Sequence, residues 1–274
     1  MPKIETEKIT FSFGRNWQEF LDCHLDPESE RIATNSLKEF MEVEDLRGLS
    51  FLDVGCGSGL FSLAAYRLGA RTIISFDVDP LSVRCCEELR RRAGDPAHWE
   101  IREGSILDSA FINAIPKADV VYAWGSLHHT GDMWQAIRNA AGLVENTGLF
   151  YLSIYNKVGE RGGSEFWLYV KRLYNGSPRA IKLLMEFAQF GRHFLRKLAS
   201  FENPRTLFTQ YQYSAGRGMN YWTDVRDWLG GYPYEFAATD EIFRFAKREL
   251  GFELVNLRVT NNLGPNEFLF RRRN

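Results

Sequence analysis

The sequence has few cysteines, almost no net charge and no long apolar run, and each absence argues against a class of protein. Its four cysteines, Cys23, Cys56, Cys85 and Cys86, form no C-x-x-C pair and no Cys/His ligand spacing. This arrangement argues against a zinc site and a disulfide framework and is typical of reduced thiols. We therefore predict a cytoplasmic protein without a bound metal.

Charge and hydropathy argue against two further classes. The 34 Lys and Arg residues are balanced by 35 Asp and Glu, so the formal net charge is −1. Because a global basic field is absent, we expect no nucleic-acid partner. No apolar run approaches the roughly 20 residues that a membrane span needs, and residues 1–10 lack a charged-then-apolar signal. Contact with a membrane surface stays open.

Short apolar runs alternate with helical patterns along much of the chain. Strands are predicted over 50–54, 72–77, 99–103, 119–124 and 149–155, then near 252–259 and 266–271. Helices are predicted over 132–144, where Asp132 can be the N-cap, and over 239–250, where Thr239 can cap. This alternation predicts a doubly wound parallel α/β sheet, which binds ligands beyond the carboxyl ends of its strands.

The alternation stops after Asn156 and gives way to an irregular, aromatic pattern that continues to about Glu235. Residues 157–205 contain ten Lys and Arg against four Glu. Within them, residues 179–198 place apolar side chains at helical spacing and basic ones at other positions. Two interpretations stay open, because such a helix either covers a core or contacts a membrane or a lipid-like acceptor. We divide the chain into an N-terminal helical cap (1–47), a core (48–156), an inserted substrate lobe (157–236) and a completion of the core sheet (237–274).

The first predicted strand runs into a glycine-rich loop, FLDVGCGSG, at residues 51–59. Gly55, Gly57 and Gly59 permit positive φ angles and a close approach of a ligand to the backbone. The dinucleotide fingerprint G-x-G-x-x-G requires its third glycine where Leu60 stands, so the match to NAD binding is imperfect.

Two carboxylates accompany this loop. A ligand with an amino-acid end would place its carboxylate on the loop amides, and Asp53 would receive its ammonium group. Asp77 ends the second predicted strand, 24 residues after Asp53. A carboxylate there can accept hydrogen bonds from both hydroxyls of a ribose.

The sequence resembles the class I S-adenosylmethionine-dependent methyltransferases. Five motifs support this in order: LDVGCGSG (52–59), FDVDP (76–80), EGSILD (103–108), DVVYAWGSLHH (119–129) and GLFYLSIYN (148–156). The likeness covers about residues 48–156 and 237–271 and is greatest to the ubiquinone-type small-molecule O-methyltransferases. It implies a Rossmann-like seven-stranded sheet whose last strand is antiparallel, with an inserted helical, aromatic-rich substrate lobe.

The resemblance also implies the cofactor, S-adenosyl-L-methionine (SAM), and its product, S-adenosyl-L-homocysteine (SAH). Gly55, Gly57 and Gly59 would enclose the methionine end, beside Asp53, and Asp77 would hold the ribose. Ser105, which is an aspartate in many relatives, and Ile106 would flank the adenine. Trp124 would lie near the sulfonium, which an aromatic face attracts.

Two neighbouring histidines are the candidate catalytic residues. His128 and His129 follow the fourth predicted strand and would face the methyl transfer if the family geometry holds. A neutral imidazole suits a general base, with His128 favoured. The alternative is that these histidines only shape the loop.

Candidate substrate-binding residues come from the stretch at 216–236, GRGMNYWTDVRDWLGGYPYEF. They are Arg217, Tyr221, Trp222, Asp227, Trp228 and Tyr232. Aromatic walls with few charges suit a flat or amphipathic small-molecule acceptor, and a small aromatic core explains the composition equally well.

We therefore predict a SAM-dependent methyltransferase that acts on a small organic acceptor. The favoured acceptor atom is an oxygen of a hydroxylated aromatic, quinol-like or sugar-derived metabolite. Alternatives are N- or C-methyl transfer to a small molecule or peptide, a non-catalytic methyltransferase-like binding protein, and a nicotinamide dehydrogenase. An RNA methyltransferase is disfavoured by the near-neutral charge and by the lack of an Asn-Pro-Pro-Tyr-like motif.

Overall fold

A computed structural model describes residues 14, 17–18, 26–209 and 221–273 of the protein. Its strands are β1 (Ser50–Val54), β2 (Thr72–Asp77), β3 (Trp99–Glu103), β4 (Ala118–Trp124), β5 (Val144–Tyr155), β6 (Phe252–Arg258) and β7 (Pro265–Arg272). Its first five helices are α1 (Pro27–Met41), α2 (Leu60–Arg67), α3 (Pro80–Arg92), α4 (Ser109–Asn113) and α5 (Met133–Gly142). They are followed by α6 (Ser164–Gly176), α7 (Arg179–Ala199), α8 (Thr206–Thr209), α9 (Tyr221–Gly230) and α10 (Thr239–Arg248). A 3₁₀ turn spans Leu127–His129.

The seven strands form one sheet in the order β3-β2-β1-β4-β5-β7-β6. The first five are parallel, and β7 runs antiparallel between β5 and β6. This architecture confirms the predicted α/β fold with an antiparallel last strand. The chain builds outward from β1 to β3 and then crosses to β4 on the other side of β1. At such a switch point the loops separate and open a crevice for a ligand.

Helices cover both faces of the sheet, as the continuous apolar strands require. Phe51 and Val120 point into a core with α1, α2 and α3. The next residue of each strand, Leu52 and Val121, points into the opposite core with α5 and α10. Successive side chains of a strand face opposite sides, so one apolar run supplies both cores.

Aspartates begin four of the helices. The side chains of Asp26, Asp79, Asp108 and Asp132 each accept a hydrogen bond from a backbone amide in the first turn of α1, α3, α4 and α5. The predicted N-cap at Asp132 is confirmed. The cap predicted at Thr239 is wrong by one residue, because α10 is preceded by Ala238, whose amide donates to the Glu241 carboxylate at 2.8 Å.

The inserted segment is largely helical, as the resemblance implies, although its irregular sequence pattern did not reveal α6 and α9 individually. Apolar and aromatic residues of these helices pack into a separate small core: Trp167, Tyr174, Leu207, Tyr221, Val225, Leu229 and Tyr234. Within the part of the chain that the structure describes, no helix combines the length and apolar character needed to cross a membrane.

Candidate functional site

The carboxyl ends of β1, β2 and β4 surround a cavity of about 1160 Å³. Pockets for single small ligands usually enclose about 300–1,000 Å³, so this cavity has room for two reactants. Predicted site residues on its wall are Asp53, Gly55, Gly57, Asp77, Ser105, Ile106, Trp124, His128, His129, Asp227 and Trp228. The fold therefore brings together predicted residues of four of the five motifs and of the stretch at 216–236, and their contacts with ligands stay predictions.

The glycine loop adopts the backbone that its composition predicts. Gly55, Gly57 and Gly59 have φ angles of 72°, 54° and 83°, all in the left-handed region that favours glycine. A Cβ atom on Gly55 would lie 2.4 Å from the Cβ atom of Ser126, which follows β4. A Cβ atom on Gly59 would lie 2.6 Å from Sγ of Cys86 in α3, so this glycine permits helix packing.

Asp77 is fixed against the glycine loop at the end of β2. Its Oδ2 atom accepts a hydrogen bond from the amide of Gly57 at 3.0 Å, and Oδ1 accepts from the amide of Asp79 at 2.9 Å. Burial raises the pKa of Asp77 to about 6, although both amides act in the opposite direction. Each oxygen keeps acceptor capacity for a further donor, as a ribose contact requires.

Asp53 lies deeper, beneath the loop. Its carboxylate accepts a hydrogen bond from the Ser62 hydroxyl at 2.5 Å, and the Ser62 oxygen lies 2.7 Å from that of Ser75. Burial, and in second place the charge of Asp77, raises the pKa of Asp53 to about 7. A cationic ligand stabilises the ionised form of such a buried carboxylate, because the ligand compensates the charge that burial disfavours.

The predicted adenine and sulfonium neighbours lie on either side of the loop. Ile106 is buried on the cavity wall, while the Ser105 hydroxyl oxygen accepts from the Leu107 amide at 3.1 Å. On the other side, Trp124 ends β4 on the cavity wall. Gly125 follows with a φ angle of 76° and open space at its Cβ position, so ligands can approach its backbone.

The two histidines occupy the 3₁₀ turn and share an aromatic neighbour. The ring centre of His128 lies 4.5 Å from that of His129 and 4.2 Å from that of Tyr155. Nδ1 of His129 lies 2.6 Å from the carbonyl oxygen of Pro233. Since a carbonyl only accepts, Nδ1 carries the proton and Nε2 has the lone pair. Burial lowers the pKa of His129 to about 3, so this ring is neutral at ordinary pH.

The predicted substrate residues fall into two groups, apart from Arg217, which lies outside the described residues. Asp227 and Trp228 line the cavity. Tyr221 and Tyr232 are buried, with the Tyr221 hydroxyl 2.9 Å from Nδ1 of His193 and the Tyr232 hydroxyl accepting from Nε of Arg172 at 3.2 Å. Trp222 packs on Phe187 and Phe190. This second group builds the lobe's core and supports the cavity wall.

Several polar residues that face the cavity from α7 were not predicted from the sequence. They are Gln189, Arg192, His193 and Arg196. Apolar periodicity does not say which face of this helix meets the core, so the pattern contains no signal for them. Nor was Glu267 of β7 predicted, whose carboxylate accepts from the hydroxyl of Tyr151 and, at 3.2 Å, from Arg258. The sequence signal for Glu267 was the presence of a charged residue within the apolar run NEFLF.

Lys171 is a further residue that the sequence analysis missed. Its side chain is completely buried, donates to the carbonyl oxygen of Trp228 and has Nζ 4.4 Å from the centre of the Trp228 ring. Burial lowers the pKa of Lys171 to about 7. The available signal was its place between Trp167 and Tyr174, on the face of α6 that packs into the lobe's core.

Comparison with known proteins gives a match at the glycine loop and the strands around it. Residues 52–152 match the model of a methyltransferase domain. Over 112 residues the chain is 33% identical to a ubiquinone biosynthesis O-methyltransferase of Methylobacterium nodulans, covering 41% of this chain and 43% of that protein. Over 122 residues it is 33% identical to a ribosomal protein L11 methyltransferase of Clostridium botulinum, covering 39% and 36%. The chain thus spans less than half the length of these curated relatives.

Solved structures share the fold over most of the chain. Magnesium protoporphyrin IX methyltransferase from Synechocystis PCC 6803, solved with bound SAH, superposes with a TM-score of 0.54 at 14% identity, covering 94% of this chain and 93% of that one. An O-methyltransferase family protein from Burkholderia thailandensis gives 0.54 at 16% identity, covering 94% and 59%. Residues 52–152 therefore match a methyltransferase domain, and the chain shares its fold with solved methyltransferases.

Proposed function

We propose that this protein transfers a methyl group from SAM to an oxygen atom of a small organic acceptor. The observation that carries the proposal is the junction of the glycine loop with Asp77, where the Gly57 amide donates to the carboxylate at 3.0 Å. Three glycines with positive φ angles and a carboxylate at the end of β2 meet at the switch point of the sheet. This is where a doubly wound sheet binds a nucleoside-containing ligand.

The residues present fit the cofactor. Its carboxylate would meet the loop amides, its ammonium group Asp53 and its ribose Asp77. Both carboxylates have raised pKa values because of burial, so a cationic ligand stabilises their ionised forms. When bound, SAM supplies a methyl group activated by a positively charged sulfur.

The protein's own contribution is alignment, exclusion of water and handling of a proton. An in-line displacement gains most from holding donor and acceptor at the right distance. His129 is held by Pro233, and its pKa of about 3 makes it a weak base at neutral pH. We therefore favour His128, which lines the same cavity, as the base for an acceptor that arrives protonated.

The acceptor side of the cavity supports a flat or amphipathic molecule with polar groups. Tyr155, Trp167 and Trp228 contribute aromatic wall, and Arg192 and His193 contribute polar atoms. The O-methyltransferase relative favours oxygen as the acceptor atom. The L11 relative is equally similar, at 33% identity over 39% of this chain, so we assign the selection of the acceptor to the lobe.

Calorimetry with SAM and SAH tests the cofactor assignment directly. We expect both to bind the folded protein in a one-to-one ratio, and NADH to give no heat of binding. Methyl transfer is then measured with isotopically labelled SAM and a panel of quinols, hydroxylated aromatics and sugars. Absence of binding to SAM and SAH would overturn the proposal. Binding without transfer to any acceptor class would favour a non-catalytic binding protein.

A further inference from the structure

Helix α7 exposes most of its large apolar side chains and buries two polar ones, although Met185 and Phe190 pack on the lobe's core. Glu186 and Gln189 face inward, and the Tyr174 hydroxyl donates to the Glu186 carboxylate at 2.7 Å. His193 likewise contacts the Tyr221 hydroxyl from this inner side. An ordinary amphipathic helix of a globular protein places its apolar stripe on the core. The orientation of α7 therefore leaves an apolar stripe exposed on the side that faces away from the lobe's core.

The stripe belongs to a larger apolar surface. Eleven of the fifteen exposed large apolar side chains in the described ranges lie between residues 166 and 201, although those ranges span most of the chain. On α7 itself, Ile181, Leu184, Leu195 and Leu198 recur at intervals that keep them on one side. We call these four residues the α7 outer face. Contiguous exposed apolar surfaces on soluble proteins mark interaction sites.

Basic residues accompany the α7 outer face. Helix α7 carries Arg179, Lys182, Arg192, Arg196 and Lys197, and its only acidic residue is the inward Glu186. By helical spacing, Arg192 and Arg196 stand between the outer face and the cavity, and both line the cavity. Lys182 packs on the ring of Tyr174 and Lys197 pairs with Glu202, so Arg192 and Arg196 are the basic residues of α7 that border the outer face. An apolar stripe bordered by arginine is a composition that binds in the plane of an anionic bilayer.

We propose that the α7 outer face, with the neighbouring exposed side chains of α6, docks on the surface of an anionic lipid bilayer. The apolar residues enter the boundary between headgroups and acyl chains, and the basic residues meet lipid phosphates. The cavity then opens next to the membrane, so that an amphipathic acceptor enters from the bilayer. This last step rests on the proposed methyl-transfer function, whereas the docking itself does not.

Vesicle flotation with the full chain tests the docking. We expect binding to vesicles of phosphatidylcholine with phosphatidylglycerol, little binding to phosphatidylcholine alone, and a decrease at high salt. Leu184→Glu and Leu195→Glu should each lower partitioning roughly tenfold, because each removes an exposed leucine that would enter the bilayer and adds a charge of the same sign as the lipid.

Val255→Glu is the matched control, because Val255 is also exposed but lies on β6. It should leave vesicle binding unchanged. Light scattering of the wild type and of Leu184→Glu tests the competing occupant, a second copy of the chain. Failure of the wild type to bind anionic vesicles, equal loss in Val255→Glu, or a dimer abolished by Leu184→Glu would each overturn the proposal. SAM binding by the same variants reports on the proposed function separately, and we expect it to be unchanged.

Discussion

Nδ1 of His129 lies 2.6 Å from the carbonyl oxygen of Pro233, and this contact joins the turn after β4 to the far end of the lobe. Burial lowers the pKa of His129 from 6.5 to about 3. In the unfolded chain the ring binds a proton below about pH 6.5, whereas the folded ring stays neutral. Acid therefore favours the unfolded chain through this residue.

His129→Asn removes this titration and retains a donor toward Pro233. Between about pH 6.5 and pH 4, the wild type should lose up to about 1.4 kcal/mol more unfolding free energy per pH unit than the variant. Urea denaturation at several pH values measures the difference. The exposed His98 provides a matched control, and the same pH effect in His98→Asn would contradict the assignment.

Asp77→Ala should weaken SAM and SAH binding by about 1.5 to 3 kcal/mol, the usual value of hydrogen bonds to a charged group. Calorimetry at neutral pH gives the affinities. Asp240→Ala is the control, because Asp240 is exposed in an ion pair with Arg244 on α10. Unchanged affinity in Asp77→Ala would remove the ribose role.

The affinity for SAM should rise with pH between about 6 and 8. The ammonium group of the ligand favours ionised carboxylates, and the pKa values of Asp77 and Asp53 are raised to about 6 and about 7. Below about pH 7 binding must displace a proton from Asp53, which costs up to about tenfold in affinity per pH unit. Asp53→Asn should remove this component, and Asp77→Asn should retain it. A wild-type affinity that is independent of pH would refute the contact with Asp53.

His128→Asn should lower turnover by about 100-fold or more if this residue is the base, while SAM affinity stays within about twofold of the wild type. Single-turnover methyl transfer and calorimetry separate the two effects. The loss should shrink for an acceptor that is already ionised at the assay pH. Full activity across the pH range would assign His128 a purely structural role in the turn.

Gly55→Ala should lower the unfolding free energy by about 2 to 4 kcal/mol, since it adds backbone strain and a steric clash. Its φ angle is 72°, and the new methyl group would lie 2.4 Å from the Cβ atom of Ser126. Gly48→Ala isolates the strain, because Gly48 has a φ angle of 80° with no atom within 4 Å of its Cβ position. It should cost about 1 kcal/mol. Equal losses in the two variants would show that the contact with Ser126 is unimportant.

The strands and the place of the glycine loop and Asp77 on the cavity wall could be predicted because their signals are local. The predicted runs at 50–54, 72–77 and 99–103 coincide with β1, β2 and β3. Glycines and aspartates mark the ends of these elements by their own backbone preferences. The parallel arrangement then brings those ends together at one edge of the sheet.

The lobe could not be predicted to the same degree, because its arrangement depends on distant contacts. Apolar periodicity gives the length of α7, and it does not say which face meets the core. The inward turn of Glu186 depends on Tyr174 in a neighbouring helix. The contact of His129 spans 104 residues, and neither partner carries a local pattern that points to the other.

Strand β7 follows the lobe in the chain, yet it lies between β5 and β6 and hydrogen-bonds to both. During synthesis, β1 to β5 emerge from the ribosome before α6 to α9, and the free edge of β5 stays open until residues 265–272 appear. Domains form as their segments become available, and an open strand edge invites wrong pairing. The growing chain therefore assembles β1 to β5 first and exposes an unpaired strand edge while α6 to α9 are still being translated.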